Sequence, residues 1–311
     1  MGGTKLLAGA VGPDLKVHHR VQRSLKGLDQ ASLLEVVVDA VDQARRASAD
    51  DVAAVGFGIP SLIDDRSGRA MMSVNLPLAD IPFGDVMAER LGMPVFVDND
   101  ANLAALAEHR AGACRGASEA VVLTIGTGIG GGLVLRNQLY RGAIGAGAEL
   151  GHTVIDVDGP PCQGNCPNRG CVEVLASGTA LEREALRIVG ERPESGLARA
   201  FEATRALPGP LVTELAHDGD AAAIEAVALI GSRLGVAIAS FVNIFNPQVV
   251  VVGGGVIAAG ELLLEPARAE VYARALPPSR DQVRIVAARF GVEAGMVGAA
   301  TLALDGLAEM A

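Results

Sequence analysis

Three cysteines fall within ten residues, and a histidine stands ten positions ahead of the first: His152, then Cys162-x3-Cys166-x4-Cys171. Zn²⁺ takes four N or S donors in a tetrahedron, and three thiolates with one imidazole complete that set. No donor position is left open, so the metal's part is structural. The segment 159–170 carries Pro160, Pro161 and Pro167, a stiff loop that an ion could staple. Cys114 stands apart and reads as a buried thiol. Thiols clustered this way read as a metal site in a reducing compartment rather than as a disulfide scaffold, so the cytoplasm is the expected location.

A second set of residues could move a proton. Asp100 follows Asn99 where an apolar run ends and an Ala/Leu-rich run begins. A carboxylate there can accept the proton of a substrate hydroxyl, and the neighbouring amide can hydrogen-bond the same substrate. It can equally be a plain helix N-cap, the simpler reading on spacing alone. Glu149-Leu-Gly-His152 brings an acid next to a prospective zinc ligand, and Glu173 lies two residues past the last cysteine. Zinc on one ring nitrogen of His152 would turn the other outward as a donor. Carboxylate, imidazole and amide together suit a polyhydroxylated ligand, although Glu149 and Glu173 could also be solvated loop charges.

Glycine turns supply a third element. Gly126-Thr-Gly-Ile-Gly-Gly-Gly132 joins two apolar strands, Gly2-Gly3-Thr4-Lys5 is a second such turn, and Gly253 to Gly255 closes a third strand. Glycine admits positive φ and has no Cβ, so backbone amides can approach an anion. One such turn could be an ordinary hairpin; three suggest a nucleotide. The dinucleotide fingerprint is poorly matched, because Gly126-x-Gly128 leads into a strand, and the pattern G-x-x-x-x-G-K-[ST] is absent.

The elements that must hold these groups alternate. Strands are expected at Leu6–Ala10, Lys16–Gln22, Val52–Ile59 (stopped by Pro60) and Val95–Val97, with helices at Ala31–Ala47, Phe83–Leu91 and Ala101–Ala111. A second series follows: strands Ala120–Ile125 and Leu133–Leu135, a loop at 142–151, an extended Thr153–Val157, and helices Ser177–Val189 and Ala221–Phe245. Strands Gln248–Val252 and Val283–Ala287 and a small-residue helix Gly295–Leu304 complete it. Two halves rich in βα units are expected, breaking near 111–118, with the terminal helix returning to the first. Composition agrees: 311 residues, half of them hydrophobic, are ample for cores and exclude intrinsic disorder. The net charge, 26 − 36 = −10, argues against a nucleic-acid partner. No uninterrupted apolar run reaches the roughly 18 residues of a membrane span, and Met1 to Lys5 lacks the layout of a secretory leader.

Taken together, the chain resembles the ROK family of sugar kinases and repressors, within the actin-like ATPase superfamily. The residues that carry the resemblance are Ile125-Gly-Thr-Gly-Ile-Gly-Gly-Gly-Leu133, Gly142, Glu149-Leu-Gly-His152, the cysteine loop with Cys171-Val-Glu173, and Asn99-Asp100-Ala101-Asn102. The resemblance implies an α/β, two-domain actin-like (ribonuclease H-like) fold with an interdomain cleft. It divides the chain into residues 1–112 with 295–311 (sugar and phosphate side) and 113–294 (zinc loop and adenosine site). It implies an ATP-dependent hexose kinase acting on the 6-hydroxyl of glucose, with Asp100 as general base. The stretch from Glu173 to Leu181 and the turn Asn75-Leu-Pro resemble the glucokinase branch. The alternatives are a kinase for GlcNAc or ManNAc and a non-catalytic sugar-binding member.

The implied sugar contacts are Asn75, Asn99, Asp100, Glu149, His152 and Glu173. The implied zinc ligands are His152, Cys162, Cys166 and Cys171. ATP would lie on Gly3, Thr4, Lys5, Thr127, Gly128, Gly254 and Gly255, with Mg²⁺, and the assembly would be a homodimer or homotetramer. Two departures stand out. The family's first strand ends in Asp-x-Gly-Gly-Thr, whereas Met1 directly precedes Gly2-Gly3 here, so the sequence shows no counterpart of the acid expected beside Mg²⁺, and a kinase without the repressors' helix-turn-helix is expected. The family's cysteine loop is Cys-x-Cys-Gly-x-x-Gly-Cys; Cys166 to Cys171 keeps its final spacing, and Cys162 lies two residues further out.

Overall fold

The structure, a computed structural model, describes residues 1–48, 51–73 and 76–311. The chain divides into two compact units, one of residues 1–116, 132–148 and 292–311, the other of 117–131 and 149–291.

The first unit opens with the antiparallel pair β1 (Lys5–Val11) and β2 (Val17–Ser24), followed by α1 (Gln30–Ala47). Asp29 caps α1 by accepting the Ser32 N–H at 2.8 Å, and Leu33, Val37, Ala40 and Ala44 form its buried stripe. Next come β3 (Val55–Ile59), β4 (Ser61–Asp64), β5 (Arg69–Ser73), β6 (Ala79–Ile81), α2 (Phe83–Leu91), β7 (Val95–Asn99) and α3 (Asp100–Ala111). β3 and β7 pair in parallel, with Ile59 opposite Asn99, while β4, β5 and β6 form a separate antiparallel sheet. The core gathers Leu33, Val37, Phe57, Ile59, Phe83 and Met87, and the rings of Phe57 and Phe83 meet edge to face at 5.3 Å.

The second unit is built on β8 (Ala120–Ile125), after which β9 (Ile129–Leu135) and β10 (Gln138–Leu139) carry the chain out of it. Then follow α4 (Val172–Ala176), α5 (Gly178–Glu191), α6 (Gly196–Thr204), α7 (Gly209–His217), α8 (Ala221–Phe245), β11 (Val249–Gly253), α9 (Glu261–Arg274), α10 (Ser279–Gln282) and β12 (Arg284–Ala287). A five-stranded sheet runs in the order β10-β9-β8-β11-β12; β11 lies parallel to both β8 and β12. Every residue of β11 is buried, as an apolar central parallel strand requires. The last helix, α11 (Ala294–Met310), belongs to the first unit. It lies so close to α3 that a Cβ on Gly298 would come 1.9 Å from the Leu103 carbonyl oxygen, which is why small residues dominate it.

Several expectations are corrected here. The segment Thr153–Val157, expected to be extended, joins no sheet: Thr153 is extended and Val154 forms an isolated bridge to Cys171. The glycine stretch 126–132 is a turn only over 126–128, because Ile129 to Gly132 already belong to β9. α8 is long and apolar enough to cross a membrane by length and composition. Its buried residues run from Ala222 to Val242, and its charged residues are paired, Glu225 with Arg192 and Arg233 with Glu184, as in a core helix.

Candidate active site and metal centre

β7 and α3 meet at Asn99-Asp100. The helix cap is Asn99, not Asp100: its Oδ1 accepts the N–H groups of Ala101 (2.9 Å) and Asn102 (3.2 Å). Its Nδ2 donates to the Ser61 carbonyl at 3.1 Å, so both ends of this amide are engaged. Asp100 is thereby the first residue of the helix proper, with its Oδ1 3.0 Å from the Ala101 nitrogen. Burial pushes the Asp100 carboxyl above its ordinary range, against the pull of the Met1 α-ammonium, which itself donates to the Gly58 carbonyl. A carboxylate raised in this way holds a proton more readily than an ordinary aspartate, as a general base must once it has accepted one.

In the second unit the glycine turns sit at the ends of parallel strands. Gly253 is opposite Thr124, so the turn after β11 lies beside the turn after β8. Gly254 has φ +85°, and a Cβ there would come 2.4 Å from the Ile125 carbonyl oxygen; only glycine permits that approach. The turn at 126–128 is held from the far side by α5. Gly178 donates its N–H to the Gly126 carbonyl at 2.8 Å, and the Thr179 hydroxyl donates to the Thr127 carbonyl at 2.8 Å. Gly126 and Thr127 remain exposed. The carboxyl ends of parallel strands are where α/β sheets bind ligands.

The cysteine loop gathers the four expected metal ligands. The donor atoms of His152, Cys162, Cys166 and Cys171 all lie within 4.8 Å of one another. Cys166 Sγ is 3.9 Å from Cys171 Sγ, and Cys162 Sγ is 3.6 Å from His152 Nδ1. Zn–S bonds of about 2.3 Å make a tetrahedral edge of about 3.8 Å, so the spacing fits zinc. Burial, followed by the neighbouring thiols, pushes Cys162 up to about 12, and burial likewise raises Cys171. A cation among these groups would favour their thiolate forms. The loop is pinned by bridges between Val154 and Cys171 and between Pro161 and Arg169, over a small apolar cluster of Cys171, Val174 and Leu175. Cys114 is fully buried elsewhere, its thiol pushed up to about 12 by burial and then by Glu108.

His152 Nε2 is 4.0 Å from Glu149 Oε2, beyond hydrogen-bond reach, and both side chains remain partly open to solvent. Glu173, which could have been a solvated loop charge, accepts the Ile129 N–H at 2.8 Å and so touches the backbone that follows the glycine turn. Gly3 and Thr4 form the bend before β1, and Thr4 and Lys5 are exposed. Asn75 lies outside the described residues. Asp98 and Arg141 escaped the sequence reading. Their ion pair, Arg141 Nε to Asp98 Oδ2 at 2.7 Å, joins positions 43 residues apart, and its only local trace is an acid ending an apolar strand.

Comparison with known proteins agrees with this geometry. The ROK family model matches residues 1–306. The chain is 39% identical over 266 residues to a glucokinase of Halalkalibacterium halodurans, covering 84% of this chain and 80% of that one. It is 34% identical over 304 residues to a glucokinase of Thermotoga maritima, covering 97% and 95%. A crystal structure of a ROK family glucokinase from Streptomyces griseus, in complex with glucose and AMPPNP, matches with a TM-score of 0.88 at 33% identity, over 98% of each chain. The fold is the two-domain actin-like ATPase fold shared with that glucokinase structure. With the family's motifs in place and almost the whole chain matched, the protein belongs to the ROK family.

Proposed function

We propose that this chain is an ATP-dependent glucokinase, transferring the γ-phosphoryl group of ATP to the 6-hydroxyl of glucose. The observation that carries the reading is the near-complete match, in sequence and fold, to a ROK glucokinase in complex with glucose and AMPPNP. Asp100 supports the chemistry: it is an acid raised by burial at the start of a helix, with the capping duty taken by Asn99. In the proposed step the Asp100 carboxylate accepts the 6-hydroxyl proton as the sugar oxygen bonds to phosphorus and ADP departs. Asn75, Asn99, Glu149, His152 and Glu173 hold the sugar hydroxyls. Gly3, Thr4, Lys5, Thr127 and Gly128 cradle the phosphates, and Gly254 and Gly255 receive the adenosine side.

Residues 1–112 with 295–311 are assigned to the sugar and phosphate side, and 113–294 to the adenosine side and zinc loop. Mg²⁺, when bound, would neutralise charge on the phosphates. His152, Cys162, Cys166 and Cys171 would hold a structural Zn²⁺ that fixes the His152 ring. A cytoplasmic homodimer or homotetramer working in glycolysis completes the reading. ADP release measured over glucose, mannose, fructose, GlcNAc and ManNAc tests it. Glucose should give the highest kcat/KM. Preference for an N-acetylated sugar would replace the substrate, and sugar binding without ATP consumption would replace catalysis by sensing.

A further inference from the structure

Asp98 is a carboxylate with only 2% of its surface exposed, one residue before Asn99 and two before Asp100. Its oxygens receive three donors. Oδ1 accepts the Asn99 N–H at 2.7 Å and the Asn102 Nδ2 at 2.9 Å, and Oδ2 accepts Arg141 Nε at 2.7 Å. The first two bonds span the turn on which Asp100 sits. One holds the last peptide of β7, and the other holds the first turn of α3. The backbone that carries Asp100 is therefore clamped from below on both sides.

The third bond leads to a segment that is itself fixed. Residues 141–147 form a closed loop, with the Gly147 N–H donating to the Arg141 carbonyl at 2.8 Å. Gly145, at φ +78°, lies so close to β4 that a Cβ would come 1.8 Å from the Ile63 carbonyl oxygen. Arg141 thus projects from a seated loop, with 26% of its side chain exposed. The network also carries a cost that a purely stabilising arrangement would avoid. Orienting Nδ2 towards Asp98 leaves Asn102 Oδ1 buried with no hydrogen-bond partner among the described residues, and an unsatisfied buried acceptor costs stability. Buried ion pairs are often no more stable than apolar side chains of the same volume, so stability alone is a poor reason for this one.

We infer that Asp98 and Arg141 are positioning residues for phosphoryl transfer, an ion pair with a buried carboxylate and a half-buried guanidinium that locks the β7–α3 turn so that the Asp100 carboxylate is held in one place. This rests on the reading of Asp100 as the base, and it assigns Asp98 no contact with substrate.

Steady-state kinetics with glucose and ATP on Asp98→Asn, Arg141→Gln, Arg141→Lys and the Asp98→Asn/Arg141→Gln pair tests the inference, alongside thermal melts and with Asp100→Asn as control. Displacement of a reacting group by about 1 Å can cost about a hundredfold. Asp98→Asn and Arg141→Gln should therefore lose about tenfold or more in kcat per folded molecule, while KM for ATP stays within about twofold. Arg141→Lys, which keeps the charge, should recover part of the loss. The double variant should be no slower than the slower single variant, because the two side chains act as one unit. A folded Arg141→Gln enzyme with wild-type kcat, or rate losses that merely follow the folded fraction, overturns the inference. Should Asp98→Asn fail to fold, the partly exposed Arg141 decides alone. If Asp100→Asn keeps its activity, the base assignment falls; if it is inactive while the Asp98 and Arg141 variants run at full rate, only the positioning role falls.

Discussion

At the end of β7 a single carboxylate is set by packing and backbone hydrogen bonds, whereas between Glu149 and Glu173 the side chains of His152, Cys162, Cys166 and Cys171 are gathered by a segment with almost no regular structure. The first region needs nothing added. Asn99 caps α3, Asp98 ties the turn to the helix, and α11 presses on α3 through Gly298. The second holds three thiols and an imidazole within 4.8 Å, with the Cys162 and Cys171 thiols made weaker acids by burial. Crowding of that kind is stable when a cation shares it. Chemistry placed on regular elements is prepared by the fold, while the cysteine loop is prepared by the ion it would bind.

The largest expected effect lies in the first region. Asp100→Asn keeps the shape of the side chain and removes its basicity, so kcat should fall about 10²–10⁴-fold, the span attributed to general base catalysis. Glucose affinity measured by calorimetry should change far less. The same residue predicts the pH profile. The base works when deprotonated, and burial raises its pKa above the ordinary carboxylate range. Activity should therefore be full above that raised value and fall as the pH drops through it, giving an acid limb above the usual aspartate range. An acid limb at ordinary aspartate values would show that substrate binding relieves the burial.

Metal removal should come next in size and act on the second region. Stripping the protein with a chelator, or changing Cys166 to Ser, should release His152 and the loop that leads to Glu173. Loss of groups that orient a metal-bound histidine costs about 10- to 100-fold in activity. The loss should appear mainly in KM for glucose, with kcat at saturating sugar retained. Zinc content by mass spectrometry should be one ion per chain before treatment, and added Zn²⁺ should restore affinity. Equal losses in kcat would mean that the loop also sets Asp100, and the contrast between the two regions would disappear.

Legibility in the sequence followed the same division. α8 was readable from Ala221 to Phe245 because an apolar pattern with a 3–4 spacing runs unbroken into Asn246. The gathering of His152, Cys162, Cys166 and Cys171 was readable because it is local, four donor side chains within twenty residues. β4, β5 and β6 were not foreseen: Pro60, the turn at 65–68 and Pro77 break the stretch into strands too short to show alternation. α6, α7 and α9 were also missed; in α9, Pro266 sits inside the helix, where proline normally argues against one. The Asp98–Arg141 pair could not be read at all, since only the folded chain brings residues 98 and 141 together.

The smallest effect concerns the cap, where sequence and structure differ by a single residue. Asn99→Ala removes the acceptor for the Ala101 and Asn102 N–H groups and the donor to Ser61. N-cap losses run to about 1 kcal/mol, or about 2–4 °C in melting temperature for a unit of this size. Asn99→Asp keeps the acceptor and should recover most of that stability while losing the bond to the Ser61 carbonyl. If Asn99 serves only the helix, kcat should follow stability across the two variants. If its Nδ2 also meets a sugar hydroxyl, as the family resemblance implies, Asn99→Asp should melt like the parent yet bind glucose more weakly. That split between melting and affinity separates capping from substrate contact at the one side chain of the β7–α3 turn for which both roles are open.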